Sequence, residues 1–103
     1  PPGVLPVVFN SWVLSYFEPT ALRRYQDGIA RLAHARGLAW LCAELPALHG
    51  PDLALPPVPA QGSATLWSLS WAPAAGAAWQ RRALAWSHPH GRWLQWLAAP
   101  LTL

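Results

Sequence analysis

The segment from Glu18 to Gly37, EPTALRRYQDGIARLAHARG, lies between two short apolar runs, and that order limits the possible folds more than any other feature. Pro19 suits the first turn of a helix, where its missing N–H removes no bond. Leu22, Tyr25, Ile29 and Leu32 recur at steps of three and four and form one apolar stripe, with Arg23, Arg24, Asp27, Arg31 and His34 mainly off it. Arg36 favours the last turn and Gly37 is a natural stop, so the pattern predicts a helix over 19–36. Before it, the β-branched run VLPVVF reads as a buried strand over 4–9, with Pro6 tolerable near its start and one or two helical turns following in WVLSYF. After it, LAWLCAE (38–44) is too short for a second helix and reads as a second buried strand. Strand, helix, strand is a βαβ unit, whose strands should be parallel and joined by a right-handed crossover.

The remainder reads differently. Five prolines fall between Leu45 and Gly62, which predicts an extended loop over 45–62 with one helical turn near Pro46 to His49. In TLWSLSW, Trp67, Leu69 and Trp71 alternate with Leu66, Ser68 and Ser70, a strand with one less apolar face. APAAG is a turn, and the run to Trp86 returns as the second strand of a hairpin spanning 65–86, with Arg81 and Arg82 on opposite faces. Residues 87–103 read as a closing turn and tail. If the first hairpin strand runs parallel to the first two strands, SHPHGRWLQW falls at the edge opposite their carboxyl ends. Pro89 and Gly91 would then make a turn, His90 bond backbone and Arg92 stack or pair. Trp93 and Trp96 would anchor the chain end, sharing a face if it is helical.

Composition narrows the classes. The chain is 53% hydrophobic and 11% charged, with eight tryptophans in 103 residues. Eight indoles, each burying on the order of 200 Å², exceed what one small core hides, so an exposed tryptophan-rich surface for a partner is expected. The seven cations are all arginines and are scattered, for a net charge of +3, which argues against nucleic acid as a partner. Neither uncharged stretch gives about 20 consecutive apolar residues, so no membrane span is expected. The single cysteine, Cys42, excludes an intrachain disulfide. With no leader pattern in view, a reducing, cytoplasmic setting is expected.

The pieces PVVFNSWVLSYF, LAWLCAE and HPHGRWLQW together resemble the C-terminal portion of an uncharacterised bacterial family, domain-of-unknown-function family 2332. In that family a V-V-F-H-S strand leads into a helix, a P-L-A-W-L-x-x-E strand follows, and a two-stranded segment ends in P-H-G-x-W-x-x-W. Most of the chain is covered, and Pro89, His90, Gly91, Trp93 and Trp96 carry the most specific motif. Asn10 stands where the family often has histidine. The family is similar in arrangement to class I S-adenosylmethionine-dependent methyltransferases, where a glycine-rich loop lies upstream. The resemblance therefore implies an α/β domain over 1–103, the C-terminal half of a Rossmann-like sheet with a β-α-β unit and an antiparallel terminal hairpin. No cofactor-binding residue is expected within it. S-adenosylmethionine is a cofactor only together with an upstream glycine-rich half, and the partner is that half or another protein chain.

In open α/β sheets ligands bind beyond the carboxyl ends of parallel strands. Asn10 and Glu44 sit there, Glu44 as a candidate general base, and His49 follows five residues on as a candidate acid–base partner. The structural alternatives are that Asn10 caps the next short helix and that Glu44 caps or pairs with an arginine. Ser11 lacks the G-x-S-x-G elbow of a nucleophile. Cys42 lacks a positive neighbour. His88 and His90 supply two ligands where zinc needs three or four, so no metal site is expected. Two functions compete: half of a methyltransferase-like protein, or a non-catalytic assembly module using its tryptophans.

Overall fold

The computed structural model describes residues 3–59 and 64–97. The order is β1 (Val7–Ser11), a 3-10 turn (Leu14–Tyr16), α1 (Pro19–Arg36), β2 (Leu38–Glu44), a second 3-10 turn (Pro46–His49), β3 (Thr65–Ala72), β4 (Gln80–Ser87) and β5 (Leu94–Trp96). The fold is mixed α/β: one five-stranded sheet in the order β1-β2-β3-β4-β5, with one helix. The helix, β2 and the turn at Pro46 fall where expected; β1 starts at Val7 and runs on to Ser11 rather than ending at Phe9. The described part of the tail is not helical. It forms β5 against β4, while residues 60–62 of the proline-rich segment and 98–103 of the tail lie outside the described residues.

β1 and β2 are parallel, as a βαβ unit requires. β3 is antiparallel to β2, pairing Leu38 with Ala72 and Glu44 with Leu66. This corrects the supposition that β3 runs with the first two strands. The loop from Leu45 to Ala64 only turns back on itself instead of crossing to the far edge. β4 then runs in the same direction as β1 and β2, and its end at Ser87 lies beside Thr65, next to the Leu66–Glu44 pair. The SHPHGRWLQW segment is therefore on the carboxyl-end edge of the parallel strands, not opposite it.

The helix covers one face of the sheet. Leu14, Ile29, Ala33, Leu38, Trp40, Cys42 and Ala72 are buried together there, with Val8, Leu22, Tyr25 and Trp79 packed around them. Within the stripe, Ala33 takes the inward position and Leu32 is exposed. A smaller cluster of Ala64, Leu66 and Trp86 is completed by Leu53, Ala83 and Trp93. Among the described residues no helix covers the other face. Val7, Phe9, Leu94 and Trp96 are exposed there, so β1 is half-buried rather than buried. Leu41, Trp67, Leu84, Ala85, Leu94 and Trp96 line an entirely apolar cleft of about 280 Å³ on this face.

Two readings based on hydrophobicity are reversed. In β3, Ser68 and Ser70 are fully buried under the helix side, and Trp67 and Leu69 are only half-buried. The serines are inside because they have buried hydrogen-bond partners there. The tryptophans do not form an exposed surface either: Trp40, Trp71 and Trp86 are buried, Trp12, Trp67, Trp79 and Trp93 half-buried, and Trp96 alone is exposed. Trp93 packs into the Trp86 cluster while Trp96 lies on the uncovered face, so the two do not share a face.

At the opposite end of the sheet, Gly37 closes α1 with φ 82° and donates its N–H to Ala33. The β3–β4 turn folds against it: Gly76 donates to the His34 carbonyl, and a Cβ at residue 37 would meet Ala74 Cα at 2.9 Å. Backbone conformation and space both demand glycine. Gly37→Ala is expected to destabilise the protein by about 2 kcal/mol or more, read as a lower urea midpoint with unchanged slope.

Candidate functional site

The carboxyl ends of β1 and β2 are joined by a buried polar network, which brings Asn10, Glu44 and His49 together. Asn10 alternates with Val8 and so faces the helix. Its Oδ1 accepts from Trp40 Nε1 at 2.6 Å and Tyr25 Oη at 3.0 Å, and its Nδ2 donates to Glu44 Oε2 at 3.0 Å and Cys42 Sγ at 3.3 Å. All the hydrogen-bonding capacity of this amide is used. Burial raises the Tyr25 phenol's pKa, which keeps its proton available for Asn10. Burial likewise pushes the Cys42 thiol up to about 12, against the opposing effect of Asn10 Nδ2. Contrary to the expectation from sequence, the thiol does have a positive neighbour, Arg81, which acts to lower its pKa, but burial outweighs it and the thiol is a buried spectator.

Glu44, 0% exposed, caps the β1–α1 connection. Its Oε2 accepts from Val13 N–H at 3.1 Å as well as from Asn10, and Oε1 accepts from Leu14 N–H at 3.4 Å. These are the first amides of the 3-10 turn, which has no cap of its own. The cap on the short helix is therefore Glu44 and not Asn10. Trp12, held between, adopts φ 54°, and its N–H donates to the Ala43 carbonyl.

His49 is also 0% exposed. Its Nε2 lies 3.1 Å from the Glu44 carbonyl oxygen and its Nδ1 2.6 Å from Ser68 Oγ. A carbonyl only accepts, so Nε2 carries the proton and the Ser68 hydroxyl donates to Nδ1. The link between His49 and Glu44 thus runs through the backbone, not the carboxyl. Arg81 closes the network from β4: Nε donates to Ser70 Oγ at 2.9 Å, and the two terminal nitrogens donate to the carbonyls of Pro51 and His49. Its guanidinium lies over the Trp40 ring, 5.6 Å from the centroid. Arg82 faces the other way, as the alternation predicts.

The open part of this edge lies above the network. Trp12, Tyr16, Pro89 and His90 line a cleft of about 430 Å³. Trp12 Nε1 donates to Thr65 Oγ1 at 2.9 Å, which fixes one wall. The other wall is a β-turn with Pro89 in its second position, closed by Gly91 N–H to the His88 carbonyl. Gly91 has φ 79°, and His90 N–H donates to His88 Nδ1 at 3.0 Å. His90 therefore meets a side chain through its amide, and its own imidazole is exposed. Arg92 is exposed, and Trp93 meets His88 edge-on at 6.4 Å. No group of three or more histidine, cysteine, aspartate or glutamate side chains converges among the described residues. No helix there is long and apolar enough to cross a membrane. Trp12 and Tyr16 carried no signal of chemistry as residue types. Their position one to five residues past a parallel strand is the signal that would have found them.

A family model described as an uncharacterised protein conserved in bacteria (DUF2332) matches residues 1–96, and the chain belongs to that family. No curated protein and no solved structure matches it.

Glu44→Gln would set an amide NH₂ against at least one of three N–H donors, and is expected to cost about 1–3 kcal/mol in chemical denaturation. Burial, aided by Arg81, lowers the His49 pKa, with the Glu44 carbonyl acting the other way. The folded state therefore holds His49 neutral while the unfolded chain protonates it below about pH 6.5. Stability is expected to be full above that pH and to fall as the pH drops below it. His49→Gln should flatten that decline in urea midpoints measured from pH 7.5 to 5.5.

Proposed function

We propose that this family member is the C-terminal half of a methyltransferase-like α/β protein, and that its ligand edge is the cleft beyond the carboxyl ends of β1 and β2. The observation that carries the reading is the convergence on one edge of two parallel strand ends, the Trp12 connection and the Pro89–Gly91 turn. Ligand crevices of open α/β sheets lie on that side. A parallel strand pair is normally covered on both faces. Here β1 is an edge strand with Val7 and Phe9 exposed, as a sheet continued by another half would leave it. The bare face also supports the assembly-module reading, through Val7, Phe9 and Leu94 together with the indoles of Trp67 and Trp96.

The residues present do not build a site for S-adenosylmethionine by themselves. The chain has no glycine-rich loop, and the carboxyl group at the end of β2 is spent on Asn10, Val13 and Leu14. In this reading any such cofactor is held by the other half, and this half faces the substrate. Asn10, Glu44 and His49 then serve as positioning residues. They set the height and tilt of the Trp12 wall and do not touch the ligand.

The test is calorimetric and thermal titration of S-adenosylmethionine into the full-length protein. At a hundredfold excess over Kd, binding should stabilise the fold by about 2.7 kcal/mol. Absence of both heat and thermal shift would remove the methyltransferase-like reading and leave the assembly module.

A further inference from the structure

We infer that the Trp12–His90 cleft takes an uncharged, planar ring, the aromatic part of the substrate, held by stacking and not by charge. The inference rests on the reading that the carboxyl edge is the ligand side, and adds the chemistry of what enters. Of the four described residues that line it, three have flat side chains, an indole, a phenol and an imidazole, and the fourth is Pro89 with its ring. Among the described residues no arginine lines the cleft to pair with a phosphate or carboxylate, and no aspartate or glutamate lines it to pair with a cation. A volume of about 430 Å³ lies within the range of small-molecule sites.

Both walls are preorganised, which separates this cleft from a chance surface dent. The Trp12 ring is tied to Thr65, which is buried, and its backbone to Ala43. The amides that follow it are held by Glu44. The opposite turn is fixed by its own two hydrogen bonds. Walls that do not reorder on binding save the entropy that would otherwise offset stacking. Tyr16, by contrast, is 86% exposed, an aromatic ring left in water beside a rigid indole. Stacking of a ring on such a platform strengthens binding by about tenfold or more per contact.

The test uses three probes with one six-membered ring each, at pH 8, titrated into the full-length protein: benzamide, the anionic benzoate, and the saturated cyclohexanecarboxamide. The planar neutral amide should bind, the carboxylate should bind no tighter, and the saturated ring should bind at least about tenfold more weakly. Tyr16→Ala and His90→Ala alter exposed side chains, so the fold should persist by circular dichroism. Each should weaken the amide about tenfold. The inference is overturned if no probe binds at millimolar concentration, if the anion or the saturated ring binds better, or if neither substitution changes the affinity. These probes contain no part of S-adenosylmethionine, so failure here and failure of the cofactor titration are separate results.

Discussion

The Glu44 carboxyl group is the constraint on which the site depends. It ends the second strand of a parallel pair, is fully buried, and receives one side-chain N–H from Asn10 of the first strand and two backbone N–H groups from the connection that leaves that strand. A buried acceptor of this kind is costly unless satisfied. The connection therefore has one favoured path, and Trp12 follows it with a left-handed backbone that a tryptophan rarely adopts. Strain of that kind persists where surrounding bonds over-determine it. Here they are the bonds from Val13 and Leu14 to Glu44, from Trp12 N–H to Ala43, and from its indole to Thr65.

From this point the network extends through two kinds of link. Asn10 passes it to the helix by Tyr25 and to the sheet by Trp40, whose rings also meet edge-on at 6.3 Å. His49 passes it through a carbonyl and a serine to β3, and Arg81 joins β4. The face under the helix is thus half apolar core and half hydrogen-bonded layer. In low dielectric such a layer specifies geometry because each broken bond leaves an orphaned group.

The local elements could be read from the sequence, and the long-range ones could not. Pro19 and Gly37 bound the helix because each has a backbone reason to be there. The direction of β3 had no such marker. The loop from Leu45 to Ala64 is long enough to cross the sheet or to double back, and nothing in its prolines distinguishes the two. That one reversal moved Pro89 and His90 from the far edge to the carboxyl ends of the parallel strands. Burial in β3 was hidden for a different reason. Ser68 and Ser70 look like a solvent face until His49 and Arg81, 19 and 11 residues away, supply their partners. Asn10 and Glu44 were legible as strand-end residues, but their mutual bond depends on the parallel register that pairs Asn10 with Cys42.

The adjacent arginines of β4 show how a single residue can assign roles. Trp86 and Arg81 both face the helix side, opposite Leu66 and Ser70, although they are an odd number of positions apart. An unbroken strand would send them to opposite faces. The bulge between the pairs Trp67–Ala85 and Ser68–Ala83 absorbs Leu84 and reverses the parity. Leu84 does not go unused, since its carbonyl accepts the Leu97 N–H and its side chain lines the apolar cleft. With Trp86 inward and no extra residue, Arg82 would sit over Trp40 and Arg81 would face away. Which of two identical neighbours becomes part of the core is therefore decided three residues downstream, by a counting device in the backbone and not by either side chain.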